Sequence, residues 1–474
     1  MKSSAMKRIM LLVAGCWLLV VGSYAQTITQ KVQKAFTAFE KDSQLKHAIT
    51  SFYVIDAKTG QVVFDKNSQI GLAPASTQKI ITSVSAFELL GKDYRYKTEF
   101  GTKIDPEKDI CLWINPSGDP TFGSWRWEST SEKNVLNEIL KALKPTDLDH
   151  CKGIFVRYWN SEEIPDGWIW QDIGNYYGAG ASILNWRENQ YDLFMRSGNK
   201  VGDHVYVVGT SPSLHSYQIN SSATSAEKGT GDNAYIYFSA GGTNLVVRGT
   251  IPVNEEHFKI SGAIPNPDKE FISILQDSLQ NRYKWIPKKD ISVTYANWGR
   301  SPRILFTHYS PTLDSIIYWF LKRSINLYGE ALVKTFAYVK SNPELMDTSY
   351  ISNLTDSGVV IIRKFWKEKG LDENELNIVD GSGLSPLNRV TTHAQVEILK
   401  YAKTKDWFPH FYNSLPEYNG MKIKSGTIRG VKGFCGYHKA KNGKEYIFSF
   451  LVNNYNGSAS ALVNKMYKVL DILK

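Results

Sequence analysis

The sequence predicts an α+β protein in which a mixed domain is split along the chain by a large, mostly β insertion. Three observations predict it. Ser51–Asn67 ("SFYVIDAKTGQVVFDKN") alternates apolar and polar residues on both sides of a Lys58-Thr59-Gly60 turn, the pattern of a β-hairpin. From about Tyr96 to Lys289 the chain breaks into short β-like runs, such as "DICLWINPSG", "GIFVRYWN" and "TNLVVRGTIPV", divided by Gly, Pro, Asn and Asp. Beyond them helical periodicity returns.

Residues 1–25 come first. Lys2, Lys7 and Arg8 precede the apolar run "IMLLVAGCWLLVVG", and small residues follow at Ser23 and Ala25, so the segment reads as a secretory signal cut after Ala25. "VAGC" at Val13–Cys16 also fits a lipoprotein cleavage box that would anchor Cys16 to lipid. Simple cleavage is preferred because the apolar run continues through Val21. The protein is therefore expected outside the cytoplasm, in the periplasm or at the cell wall. No later stretch approaches the ~18–20 apolar residues that span a bilayer.

Residues 26–95 hold the first part of the split domain: a helix over about Thr27–Leu45, the hairpin, and a helix from Ser76 to about Leu90. The insertion is expected over 96–289. Residues 290–474 return to the first domain, with helices in Leu313–Val339, Gly358–Lys369, Val390–Thr404 and Ala459–Leu473, and two antiparallel strands after Lys424.

Composition excludes several classes. With 474 residues, 42% apolar and 13% aromatic, the chain is neither disordered nor fibrous. Loss of the signal lowers the formal charge from +10 to about +7, which in an exported protein suits an anionic wall polymer or membrane surface better than nucleic acid. Three of the 4 cysteines remain, so at most one internal disulfide forms, with Cys111–Cys151 as the expected pair. The 9 histidines are scattered without an H-E-x-x-H or similar spacing, and no metal or cofactor is expected.

The candidate chemistry begins in "APASTQKIIT", where Ser76 and Lys79 lie three apart and share a helix face. Alone, this is equally a helix start, with Ser76 as N-cap, Lys79 in solvent, and Ile80, Ile81, Val84 and Phe87 as the buried stripe. Ser324 and Asn326 interrupt an apolar surface in "LKRSINLYGEAL". "VDGSGLSPLN" (Val379–Asn388) is by itself a tight loop between helices. Lys424-Ser425-Gly426-Thr427 opens a strand, gathering a cation, two hydroxyls and a backbone open to close approach.

Three motifs in the order S-x-x-K, S-x-N, K-[ST]-G, on helix, loop and strand, match the set of penicillin-binding proteins and class A β-lactamases. With "PASTQKIIT", "GDPT", "KRSINL", "DGSGLS" and "KSGTIRGVKGFCGY", the chain resembles the serine D-alanyl-D-alanine carboxypeptidase/endopeptidase family. These are the class C low-molecular-mass penicillin-binding proteins, or S13 peptidases. The likeness runs from about Val54 to the C-terminus. It implies a transpeptidase-like domain, an antiparallel sheet flanked by helices, interrupted by the insertion that class A β-lactamases lack.

The resemblance also implies a mechanism. Ser76 would attack the carbonyl of the penultimate D-Ala of a peptidoglycan stem peptide, expel the terminal D-Ala, and leave an acyl-enzyme for water to hydrolyse. Lys79 would be the base if burial and the neighbouring Lys424 kept it neutral. Ser324 would relay protons to the leaving amine, and Asn326 would orient Lys79 and hold the substrate. Backbone N–H groups of Ser76 and Thr427 would form the oxyanion hole. Lys424, Ser425 and Thr427, with Gly426 between them, would receive the terminal carboxylate. β-Lactam antibiotics would acylate the same serine.

In "PDGWIWQDIGNYYGA", Asp172 and Tyr177 align with the family's pocket for the amine of the third stem residue, chemistry suited to an ammonium group. The chain departs from the family at Pro386, where some members carry Arg, at Arg429, where some carry Gln, and at Ile325, where Asp is usual. Those departures bear on substrate preference. The sequence leaves the oligomeric state open.

Two rival readings are weaker. A β-lactamase of class A adds a water-activating Glu, and Glu330, four residues after Asn326, is expected to face a helix partner instead. A non-catalytic wall-binding protein on a decayed scaffold should have lost one of Ser76, Lys79, Ser324, Asn326, Lys424 or Gly426, and all six stand.

Overall fold

The computed structural model describes residues 26–474 except 105–107, 158–161, 215–216, 239–241, 288–291, 295–300 and 341–352. The expected signal segment and Cys16 lie outside the described residues. Helix α1 (Ile28–Glu40) leads into strands β1 (Ile49–Asp56) and β2 (Val62–Lys66), then helix α2 (Lys79–Leu90). Strands β3 (Lys97–Ile104) and β4 (Ile110–Asn115), helix α3 (Glu132–Ala142), strand β5 (Cys151–Arg157) and helix α4 (Pro267–Tyr283) follow. Strand β6 (Arg303–Tyr309) then precedes helices α5 (Leu313–Lys322), α6 (Asn326–Lys340) and α7 (Thr392–Ala402). Strands β7 (Met421–Ile428), β8 (Val431–Lys439) and β9 (Glu445–Asn453) and helix α8 (Ala459–Leu470) end the chain.

The hairpin forms as its pattern requires. Asp56 Oδ1 accepts the Lys58 and Thr59 amides, and Gly60 takes the positive φ of 73° that closes the turn. β1 then pairs antiparallel with β9, and the sheet runs β7-β8-β9-β1-β2 with the short strand Glu417–Tyr418 outside β7. Alternation sends Phe52 and Val54 to one face and Tyr53 and Ile55 to the other. On the first face α1, held by a Thr27/Gln30 capping box, buries Val32, Phe36 and Phe39 beside α8. On the second lie α2, α5, α6 and α7.

α2 is the buried centre of the domain. Every residue from Lys79 to Phe87 is buried, because sheet and helices enclose it on all sides. The expected apolar stripe is therefore one part of a wholly enclosed helix. Lys79 is enclosed with it.

The inserted region is less uniformly β than its texture suggests. A five-stranded sheet contains β5, β4, β3 and β6 in that order, and α3 and α4 pack into its core through Val135, Ile139, Phe271 and Leu275. β6 pairs with β3, so this sheet draws a strand from beyond residue 289. A three-stranded and a four-stranded sheet between residues 190 and 263 build a second small core around Leu193, Ile236 and Val247.

The expected Cys111–Cys151 disulfide is not formed. The two residues sit on adjacent strands, but the register sets Ile110 opposite Cys151. Cys111 packs with Trp113 and Phe155 on one face, while Cys151 joins the Leu112 and Ile154 core on the other. Side chains on opposite faces of a sheet cannot meet disulfide geometry.

Candidate active site

Ser76 lies in the single 3₁₀ turn Ala75–Gln78 that runs directly into α2, and its side chain makes no cap bond to the helix. The turn starts from Ala75 at φ 47°, a left-handed conformation that a residue with a Cβ adopts at a cost. It is held from two sides. A Cβ on Gly426 would stand 2.9 Å from the Ser76 amide nitrogen and 2.8 Å from that of Thr77, and one on Gly383 would stand 2.0 Å from the Ala75 carbonyl oxygen. Gly426 therefore serves the close seating of the serine turn on β7.

Lys79 is completely buried, and its amine meets three oxygens: Asn326 Oδ1 at 2.6 Å, the Ser382 carbonyl at 2.8 Å and Ser76 Oγ at 2.9 Å. The first two can only accept. Asn326 is fixed in that sense because its Nδ2 donates to the Tyr177 carbonyl at 2.7 Å. A neutral amine has two protons and one lone pair, so once both protons are used the lone pair is left for the Ser76 hydroxyl proton. Burial pushes the Lys79 amine well below its ordinary value, and the nearby Lys424 pushes further, against the opposing pull of Asp380 and Glu330.

Ser324 occupies the turn between α5 and α6 at φ 55°, and its Oγ accepts from Lys424 Nζ at 3.0 Å. Lys424 also donates to the Ser425 carbonyl at 2.8 Å. It is 2% exposed, and burial lowers its amine to about 7.

Behind Lys79 the loop 380–385 is organised by Asp380. Its carboxylate accepts from the amides of Gly383 and Ser385, both at 2.7 Å, and from Gln78 Nε2, Asn388 Nδ2 and Trp168 Nε1 at 3.0, 2.9 and 3.0 Å. Five donors on one buried group mark the seat of negative charge. Glu330 stands close by, accepting the Gly381 amide at 2.9 Å with the Ser382 side chain also acting on it, and among the described residues no bond of ordinary geometry reaches its Oε1. Burial and the neighbouring Asp380 raise its carboxyl to about 8, which weakens its pull on Lys79 at neutral pH.

A pH dependence follows. A carboxyl whose affinity for protons rises on folding contributes stability that is present in acid and lost as pH climbs through its folded value. Wild type is therefore expected to lose stability relative to Glu330→Gln between about pH 5 and about 8, because the amide keeps the Gly381 acceptor and cannot ionise. Urea midpoints of both proteins at the two pH values check this, and parallel behaviour contradicts it.

Ser76, Ser324, Asn326, Thr427, Asp172 and Tyr177 line one cleft of about 950 Å³. Lys79, Lys424, Ser425 and Gly426 lie behind its wall. Tyr177 Oη donates to Asp172 Oδ1 at 3.3 Å, and burial raises the Asp172 carboxyl against that bond. Pro386 and Arg429, two of the departures noted in the sequence, also line the cleft, as does Arg126, whose guanidinium is bound to Glu188 by bonds of 2.7 and 2.9 Å. The pattern of "VDGSGLSPLN" predicts a loop and gives no role to Asp380, Ser382 or Gln78. The one local signal was the aspartate three residues before a glycine, the spacing of a side chain that caps its own turn.

Residues 32–417 match the D-Ala-D-Ala carboxypeptidase 3 (S13) family. The chain belongs to that family. The matched stretch ends just before the K-S-G-T edge, which the close approach of Gly426 to the Ser76 and Thr77 amides places beside the serine turn. The D-alanyl-D-alanine carboxypeptidase of Actinomadura sp. (strain R39) is 22% identical over 472 residues, covering 91% of this chain and 83% of the relative. The D-alanyl-D-alanine carboxypeptidase DacB of Haemophilus influenzae is 21% identical and covers 85% of each chain. The crystal structure of penicillin binding protein 4 (dacB) from the same organism superposes with a TM-score of 0.73 at 18% identity, over 93% of this chain and 98% of the other. The α+β fold with its inserted sheets is thus the fold of the family's peptidases.

Proposed function

We propose that this S13 member is an exported serine DD-peptidase that acts on peptidoglycan stem peptides through an acyl-enzyme on Ser76, as D-Ala-D-Ala carboxypeptidase, DD-endopeptidase, or both, and that penicillin acylates the same serine. One observation carries the reading: Lys79 Nζ meets two oxygens that can only accept, and its third neighbour is Ser76 Oγ, so the neutral amine turns its lone pair to the serine hydroxyl. As Ser76 Oγ bonds to the carbonyl carbon of the penultimate D-Ala, its proton passes to Lys79 Nζ. When the C–N bond breaks, Ser324 gives its proton to the leaving amine and takes in turn the proton that Lys79 had accepted, with Lys424 Nζ, bonded to Ser324 at 3.0 Å, supporting the relay, so that Lys79 is again a neutral base. Water then adds to the acyl carbon, gives a proton back through Lys79, and releases Ser76.

The terminal carboxylate of a carboxypeptidase substrate is assigned to Thr427, with Lys424 and Ser425 behind it. Asp172 and Tyr177, which line the same cleft, are assigned to the amine of the third stem residue. Export rests on the leader-like residues 1–25.

The test is mass-detected chromatography of monomeric and cross-linked muropeptides treated with protein recovered from its own cells, and with its Ser76→Ala variant. Serine-dependent loss of terminal D-Ala, or conversion of dimers to monomers, from a protein that starts at Gln26 is the expected result. Equal conversion by Ser76→Ala overturns the acyl-enzyme, and retention of residues 1–25 overturns cleavage after Ala25.

A further inference from the structure

Directly across the β7–β8 pair from Thr427 stands Lys432, which belongs to none of the three motifs. Its ammonium donates to Thr427 Oγ1 at 2.8 Å and lies 4.8 Å from the centre of the Phe434 ring. Lys432 is 9% exposed, and among the described residues no carboxylate pairs with it. Burial alone lowers its amine to about 8. A buried cation without a counter-ion is unfavourable, and an arriving anion relieves it.

Lys424 is in the same condition on the neighbouring strand. It is bonded to a hydroxyl and a carbonyl, and no carboxylate acts to raise its amine, whereas Lys432 acts to lower it. Two lysines therefore converge on one sheet edge, and among the described residues no carboxylate pairs with either. Thr427 opens from that edge into the cleft, beside Ile428 and Arg429. Because its oxygen accepts from Lys432, its own proton remains to be donated to another acceptor.

We propose that Lys432 is a specificity-determining residue for the substrate's terminal carboxylate, acting through Thr427 by polarising its hydroxyl and setting a second positive charge behind it. The inference rests on the DD-peptidase reading and deepens it. Lys432 does not itself line the cleft, so it is a positioning residue. Any ligand with a carboxylate next to the scissile amide, a β-lactam included, meets the same edge.

The test compares kcat/KM for an N-acylated peptide ending in D-Ala-D-Ala with that for its C-terminal amide, in wild type, Lys432→Met and Lys432→Arg. Wild type is expected to prefer the free acid. Lys432→Met should shrink that preference about 10-fold, mainly through KM, the usual scale for one charge-assisted hydrogen bond. Lys432→Arg, which keeps the charge, should restore most of it. An unchanged preference in Lys432→Met overturns the inference, as does a loss equal for both peptides or one equally deep in the arginine variant, since each marks a packing role. A wild type that turns over neither peptide overturns the proposed function and the inference with it.

Discussion

Lys79→Arg is expected to slow acylation of Ser76 by benzylpenicillin roughly 10²–10⁴-fold, although arginine supplies the charge and the reach of a protonated lysine. The reason lies in the protons. Arginine stays protonated throughout the accessible pH range and offers no lone pair. A lysine whose only work was to present positive charge to the serine turn would tolerate the exchange. At this position the two acceptor-only oxygens, Asn326 Oδ1 and the Ser382 carbonyl, leave the neutral amine its lone pair for Ser76. Intact-mass detection of the penicilloyl adduct against time measures the effect, with an unfolding curve to establish that the variant is folded. Acylation within a few-fold of wild type would remove Lys79 from the role of base.

Asp380→Ala is expected to destabilise the protein by on the order of 4 kcal/mol and to abolish activity together with stability. Five donors lose their acceptor at once, two of them backbone amides in a loop that is buried and cannot turn to water. The same loop supplies the Ser382 carbonyl to Lys79 and the Gly381 carbonyl to Thr82, so its collapse removes one of the two acceptors that orient the lysine. Equilibrium urea unfolding reads the loss. A change below about 1 kcal/mol would mean that the five bonds are replaced by water as readily as surface bonds are.

What the sequence made legible was local. The hairpin Ile49–Lys66 followed from alternation and a turn, and S-x-x-K, S-x-N and K-S-G-T each came as a short run whose spacing predicts which side chains share a face. The side chains that set the state of those residues were not local. Asp380 and Glu330 act on Lys79 and Gly381 across tertiary contacts that nothing within a few positions in the chain announces, and Lys432 meets Thr427 only through the register of the β7–β8 hairpin. Ser76 was equally good as an N-cap until the fold placed it in a 3₁₀ turn against Gly426. In the insertion, the four-residue spacing of Val135 and Ile139 was present, but β-like runs on either side dominated the texture. The cysteine pairing failed because a one-residue register step turns a side chain to the other face of a sheet.

The pairing of β1 with β9, which sets Ile49 opposite Asn453, has a consequence for the order in which this protein comes into being. The first strand of the domain has no permanent neighbour on that side until nearly the whole chain exists. Closing so long a loop is slow compared with forming a helix or hairpin, so the sheet that seats Ser76 against Gly426 is among the last structures to form. A chain still emerging from the ribosome carries its serine and its lysine early, yet has no cleft, no K-S-G-T edge and no enclosed amine. The proposed chemistry is therefore out of reach until β9 has been made and has found β1.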